Sequence, residues 1–294
     1  MNKFVLTTDI IYNKNINKDI SIIHISDIHF SSITKSKMLD KLVSYILDNK
    51  PDYLMITGDT IDSPKEVKDK EKIKEFIKFL TILGKEVKVL ISLGNHDVMN
   101  SESFQFFDKL NDIYNVYVLN NSYYKDDYIY VSGFTLSNDY YYNITGNESL
   151  EILMDNLDNN RRLLDNLPKY IPKVALIHSP ILLGNNEVLN RLHEYDLILT
   201  GHTHNGLVPK WLYWLFPLNS GIVGPNNKLF PKIAKGNIER KIDNKNILVI
   251  ISGGITKFSK NSGMFFARLN FIFNKSVNKI IIRKKWGKRW KLKM

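Results

Sequence analysis

Five short apolar runs, at 20–26, 53–57, 87–93, 174–177 and 196–200, are rich in Ile, Val and Leu, and each breaks off in a polar cluster. Runs of this length that are apolar at nearly every position predict strands buried on both faces. Between the first three lie stretches of helical period. Met38, Leu39, Leu42, Ile46 and Leu47 share one face of 35–49, and Ile73, Phe76, Ile77 and Leu80 do the same in 67–83. This alternation predicts an α/β core in which helices cover a mainly parallel sheet. Further on, 116–119 and 128–134 flank Asn120-Asn121-Ser122 and predict paired strands joined by a turn, with a long polar-faced helix at 149–167. Positions 207–243, rich in Pro, Gly, Asn and aromatics, have no clear period and read as an insertion. The runs at 246–252, 264–273 and 277–283 read as further strands. With no internal repeat or linker, one domain over 1–294 is the simplest organisation.

A chain of 294 residues, 44% of them hydrophobic, can bury a large core without covalent staples. It contains no Cys, which excludes disulfides, thiolate metal sites and a cysteine nucleophile. No run approaches the roughly 18 apolar residues of a membrane span, so a soluble, cytoplasmic protein is expected. The net charge of +11 is unevenly placed: 244–294 holds 13 Lys and Arg and no Asp or Glu, leaving 28 basic against 30 acidic residues elsewhere. The tail at 284–294, which includes Trp286 and Trp290 among Lys and Arg, suits an anionic membrane surface, which would make the protein peripheral on the inner face of the membrane. The same charge could track nucleic acid, or the tail could be a solvated, frayed terminus. The cluster Lys210-Trp211-Leu212-Tyr213-Trp214-Leu215-Phe216 either packs on the core or meets lipid or a lipid-like substrate.

Candidate chemistry follows the five early strands. Their ends read Asp27-Ile28-His29, Gly58-Asp59-Thr60-Ile61-Asp62, Gly94-Asn95-His96-Asp97, His178-Ser179-Pro180 and Gly201-His202-Thr203-His204. In an α/β sheet, ligands bind outside the carboxyl ends of strands, so these groups should converge on one rim. In extended backbone, residues i and i+2 point the same way, which would make Asp27 with His29, and His202 with His204, paired ligands. The glycines would let the chain turn sharply at the strand ends. Carboxylates, imidazoles and an amide without sulfur suit divalent ions such as Mn²⁺, Fe²⁺ or Zn²⁺. Any one block alone could be a helix cap or turn; the joint pattern carries the inference. His24 and His193 fall outside it and read as a strand histidine and a surface histidine.

Together the blocks resemble the calcineurin-like metallophosphoesterases, whose pattern is D-x-H, G-D-x-x-D, G-N-H-D/E, H and G-H-x-H. The resemblance spans roughly 20–206 and implies a four-layer α-β-β-α sandwich, mixed sheets flanked by helices, with a two-metal site at one edge. It assigns Asp27, His29 and His204 to one metal and Asn95, His178 and His202 to the other, with Asp59 bridging. Mn²⁺ is the first choice of ion, and a hydroxide between the two ions would be the nucleophile. His96 would be the general acid, Asp97 would orient and charge its imidazole, and Asp62 would support the loop carrying Asp59. The block Gly201-His202-Thr203-His204-Asn205-Gly206 is most similar to a bacterial branch reading G-H-T-H-G-G-Q. That branch includes membrane-associated phosphodiesterases and UDP-diacylglucosamine pyrophosphohydrolases. Asn205 and Leu207 depart from it where Gly and Gln are usual. The expected activity is thus hydrolysis of a phosphodiester or pyrophosphate, on a lipid-linked or nucleotide-sugar substrate. A nuclease of the same superfamily and a metal-binding scaffold without catalysis are the alternatives.

Overall fold

In the computed structural model the strands form two six-stranded sheets. The residues described are 4–33, 36–137, 141, 147–180, 184–216, 219–224, 228–242, 245–258 and 263–284, so the Trp-bearing tail at 285–294 lies outside them. The first sheet contains β1 (Phe4–Tyr12), β2 (Ile20–Ile25), β3 (Tyr53–Thr57), β4 (Lys88–Ser92), β5 (Val116–Val118) and β12 (Lys275–Arg283), in the order β1-β12-β2-β3-β4-β5. The second contains β6 (Ser122–Lys125), β7 (Tyr130–Phe134), β8 (Lys173–Ile177), β9 (Leu197–Thr200), β10 (Gly236–Ile242) and β11 (Lys245–Ile251), in the order β10-β11-β9-β8-β7-β6. Both sheets are mixed. β2 to β5 run parallel and so do β7, β8, β9 and β11, while β12 opposes β2 and the pairs β10–β11 and β6–β7 are antiparallel.

The central strands β2, β3, β4, β8 and β9 are largely apolar because both of their faces are covered. Ile22, Tyr53, Met55 and Leu90 meet Val131, Val174, Leu176, Leu199 and Ile250 between the sheets. Ile23, Ile25, Leu54, Ile56, Val89 and Ile91 point outward and pack under α1 (Ser36–Asp48), α2 (Lys70–Gly84) and α3 (Ser101–Leu110) through Leu42, Ile46, Phe76, Leu80 and Phe107. On the far side α4 (Asn147–Asp165) and α5 (Asn186–Leu192) cover Ala175, Ile177, Ile198 and Val249 with Leu153, Leu157, Leu189 and Leu192. The result is the expected α-β-β-α sandwich. Each Leu or Ile fully buried in these layers contributes about 1.5–3 kcal/mol.

Three expectations are corrected. β5 and β7 are not a hairpin: β5 pairs with β4 in the first sheet and β6 pairs with β7 in the second. Asn120 and Asn121 therefore carry the chain from one sheet to the other, with Asn121 at φ 48°. The run at 264–273 is helical, forming α6 (Met264–Arg268) and a 3₁₀ turn (Leu269–Ile272), because its consecutive aromatics lack the period of two that a one-sided strand requires. The region 207–243 is not all irregular, since its last residues form edge strand β10. The crossing between the sheets is clamped by Asp126, which accepts from Tyr53 Oη (2.7 Å), Lys88 Nζ (2.7 Å) and Tyr124 Oη (2.9 Å). Burial would raise this carboxyl, but these donors bring it down to about 2.

β12 begins beside the loops that follow β2 and β3 and, running against β2, ends at the opposite pole. There Arg283 pairs with Asp19 (3.1 Å), at the end of the sandwich away from those loops. Among the described residues no helix is long and apolar enough to cross a membrane.

Candidate metal centre

Strand ends β2, β3, β4, β8 and β9 deliver their polar residues to one rim, as the parallel order requires. Asp27, His29 and His204 gather with one ligand atom each within 4.8 Å of one another, and Asp59, His178 and His202 do the same. Asp27 and His29 do cluster together, but the extended-backbone reason for it is wrong. Asp27, His29, Asp59, His202 and His204 all have left-handed backbone, with φ between 44° and 68°. His202 and His204 consequently diverge into different groups instead of pairing. Non-glycine residues rarely occupy this region, and when they do the surrounding structure must hold them there.

The hydrogen bonds that hold them are present. Asp27 Oδ2 accepts from Ser26 Oγ (2.6 Å) and from the His202 amide (3.2 Å), tying the first and fifth blocks together. The Asp27 and His29 amides donate to the Gly58 and Asp59 carbonyls at 3.1 and 3.0 Å. His29 Nδ1 meets Asp62 Oδ1 at 2.9 Å, His178 Nδ1 meets the Thr57 carbonyl at 2.7 Å, and His204 Nδ1 meets the Thr256 carbonyl at 3.1 Å. In each ring this leaves Nε2 facing the cluster, which is how a histidine is set for a metal. Asp59 lies between the groups: its Oδ2 is 3.2 Å from His178 Nε2 and 3.9 Å from His29 Nε2.

The glycines serve close approach more than turning. Gly58 alone of the three has positive φ; a Cβ on Gly201 would fall 1.7 Å from Ser26 Oγ, and one on Gly94 would fall 2.4 Å from Asp59 Oδ1.

The Asp97 carboxylate has partners other than the His96 ring. The Asp97 carboxylate accepts from the amides of Gly94 (2.9 Å), Thr60 (2.9 Å) and Ile61 (3.1 Å), which pins the β3 and β4 loops together. His96 is oriented instead by the Asp62 carbonyl, 2.7 Å from its Nδ1. Its amide donates to Asp59 Oδ1 (2.9 Å), and its ring, 26% exposed, stands edge-on to His29. Asp62 does more than support a loop, because its side chain orients His29. His24 is a strand histidine, with Nε2 2.8 Å from Thr57 Oγ1, and His193 is a half-exposed residue at the end of α5, as expected.

Electrostatically the cluster calls for cations. Burial opposes charge on His29 and His178, yet Asp62 and Asp59 hold both up at about 9. Burial pushes His202 and His204 down to about 3 and about 4, the neutral form in which imidazole ligates. Buried Asp27 Oδ1 and Asn95 Oδ1 accept no hydrogen bond. Such orphaned acceptors are costly unless a cation meets them, and the N/O donor set fits divalent metal ions.

The strand-end logic stopped one strand early. After β11, the Ile255 and Thr256 amides donate to the Ser26 and Asp27 carbonyls (3.0 Å each), and Gly253 forms a cradle for Asn205, whose Nδ2 reaches Ser276 Oγ at 2.9 Å. The signal was Ser252-Gly253-Gly254, another glycine-marked strand end. Tyr141, from a Tyr-rich stretch to which the sequence assigns no role, also reaches the site: its ring lies 5.2 Å from His202 and 6.1 Å from His178. Asn205 explains its own departure from Gly: at φ 58° and ψ 28° it occupies the left-handed region that Asn tolerates best after Gly. Nothing in the structure explains Leu207 at φ 48°.

Known proteins similar to this chain fall in one family. The chain is 26% identical over 229 residues to an uncharacterised metallophosphoesterase of Campylobacter jejuni, covering 76% of this chain and 55% of that one. It is 26% identical over 200 residues to another from Helicobacter pylori, covering 67% and 48%. The chain thus spans about half the length of the curated relatives it matches. Among solved structures, a dimetal phosphatase from Danio rerio aligns over 81% of this chain and 88% of its own, at 12% identity and a TM-score of 0.44. The family model described as calcineurin-like phosphoesterase matches residues 20–206, the stretch that holds all five strand-end blocks, and the chain belongs to that family.

Proposed function

We propose that this chain is a two-metal hydrolase of phosphodiester or pyrophosphate bonds. The observation that carries the reading is Asp59, whose Oδ2 faces His29 of one ligand group and His178 of the other. Asp27, His29 and His204 would hold one ion, and Asn95, His178 and His202 the second, with Asp59 shared. Mn²⁺ is preferred, and Fe²⁺ or Zn²⁺ fit the same donors. Two divalent ions at such a site supply Lewis acidity to a phosphoryl group and lower the pKa of water to near neutrality.

The chain's own residues supply the rest. With its Nδ1–H donating to the Asp62 carbonyl, His96 presents Nε2 toward the site, 4.0 Å from Asp59 Oδ2. When protonated, that nitrogen can pass its proton to a leaving-group oxygen. Asp97 fixes the loops that set the spacing between Asp59 and His96. The likeness to the G-H-T-H-G-G-Q branch supports a lipid-linked or nucleotide-sugar substrate.

The test is hydrolysis of bis(p-nitrophenyl) phosphate by metal-stripped protein with Mn²⁺ restored. His96→Asn should cut turnover by about 10²–10⁴-fold while leaving bound metal unchanged. Metal-loaded protein that is inert on diesters, monoesters and pyrophosphates alike sinks the proposal.

A further inference from the structure

Large apolar side chains are exposed along three segments beside the metal-ligand turn. The 3₁₀ helix Lys210–Leu215 presents Trp211, Trp214 and Leu215, with Trp214 80% exposed. The helical stretch at 264–272 presents Phe265, Phe266 and Phe271, with Phe265 70% exposed. Leu229 and Phe230 form the third segment, 65% and 68% exposed.

Each segment is tied to the turn that bears His202 and His204. Lys210–Leu215 follows it directly, and Lys210 Nζ donates to the Phe271 carbonyl (3.3 Å), joining the first segment to the second. Phe258, two residues after the Thr256 carbonyl that receives His204, packs on Phe266 at 5.6 Å. The Ile222 and Val223 amides donate to the Gly206 carbonyl (2.8 and 3.0 Å), and Phe230 donates its amide to Ile222 (2.9 Å). The charges that these segments themselves carry have one sign. Lys210, Lys228, Lys232 and Arg268 are exposed among them, and no Asp or Glu occurs from Leu197 to Ile238.

We infer that these segments form a docking surface for an anionic lipid bilayer, with the aromatic rings entering the interface and the four cations meeting lipid phosphates. Trp and Phe interleaved with Lys and Arg on short helices suit that boundary, where one side of each segment is apolar and its rim charged. Docking would set the metal-ligand turn against the lipid surface. β12 ends at the opposite pole, at Arg283, so these segments lie away from the strand end that leads into residues 285–294. The inference also stands apart from catalysis, because its test reads no hydrolysis.

The four tryptophans allow the two surfaces to be read separately. In the full chain carrying Trp286→Phe and Trp290→Phe, emission comes from Trp211 and Trp214 alone. With phosphatidylcholine/phosphatidylglycerol vesicles whose acyl chains are brominated, that emission should shift to the blue and fall at least threefold, and only weakly without phosphatidylglycerol. In the otherwise native chain, Trp211→Ser with Trp214→Ser should lower vesicle co-sedimentation at least tenfold with an unchanged circular dichroism spectrum. Unquenched emission from Trp211 and Trp214, whether or not the Trp211→Phe/Trp214→Phe chain is quenched through its tail, overturns the inference. So does a blue shift that grows with protein concentration in the absence of vesicles, which would make a second copy the partner.

Discussion

Replacing Asp97 separates its two candidate roles. If it only holds the β3 and β4 loops together, Asp97→Ala strands three buried amides, those of Gly94, Thr60 and Ile61. Leaving a buried donor unsatisfied costs about 1–3 kcal/mol, and partial relaxation makes the total about 3–5 kcal/mol. In a domain of this size each kcal/mol lowers the thermal midpoint by about 2 °C, so a fall of about 6–10 °C is expected. Asp97→Asn is milder: its amide oxygen can keep the bonds that Oδ1 makes to Thr60 and Ile61, while its NH₂ opposes the Gly94 N–H. The cost is then about 1–2 kcal/mol, or about 2–4 °C. Thermal unfolding followed by circular dichroism gives both numbers, and the pH profile of phosphodiester hydrolysis completes the comparison. With Asp97 acting on the loops, Asp97→Asn should leave the shape of the profile intact. An alanine variant that unfolds within about 1 °C of the parent, together with a displaced acid limb in the asparagine variant, would refute this and restore Asp97 as the partner of His96.

Two further outcomes follow from the geometry. Asp126 has a folded pKa of about 2, below the unfolded carboxylate value, so the native state binds fewer protons than the unfolded one. The stabilisation, about 2 kcal/mol, is complete above about pH 5 and is lost as pH falls through 4 toward 2. Urea midpoints at pH 7, 4 and 3 should show that decline in the parent and a flatter one in Asp126→Asn, which starts lower; parallel curves would contradict the assignment. Gly253→Ala places a methyl 1.8 Å from Asn205 Nδ2 and should dislodge it from Ser276, moving the turn that carries His202 and His204. Equilibrium dialysis should show Mn²⁺ affinity reduced by about 10–100-fold, and unchanged affinity would mean that the turn is held by other contacts.

The site was legible in the sequence to the extent that chemistry concentrates at strand ends. Asp27, Asp59, Asn95, His178 and His204 were readable because each follows a short, largely apolar run, and parallel strands deliver such ends to one rim. What the sequence hid was backbone direction. Left-handed φ at Asp27, His29, His202 and His204 leaves no mark in an alternation pattern, so a correct pairing was reached for an incorrect reason and an incorrect one was expected for His202 with His204. Asp97 shows the same limit: adjacency to His96 suggests contact, while the carboxylate turns toward the backbone of another loop. The crossing at Asn120-Asn121 was mistaken for a hairpin because a turn signal does not say which sheet comes next. β1 and α3 went unnoticed: Thr7, Thr8 and Asp9 interrupt the apolar pattern of an edge strand, and α3 depends on Asn100, which caps it by accepting from the Ser103 amide (2.9 Å).

The left-handed residues at the rim also bear on how such a protein would respond to selection. At Asp27, His29, Asp59, His202 and His204 a glycine would relieve backbone strain of about 1 kcal/mol each, so the positions most easily improved for conformational ease are the ones that carry the chemistry. A library screened for heat resistance alone should therefore accumulate inactive survivors at these positions. Screening on bound metal as well as on unfolding temperature would keep the two pressures apart.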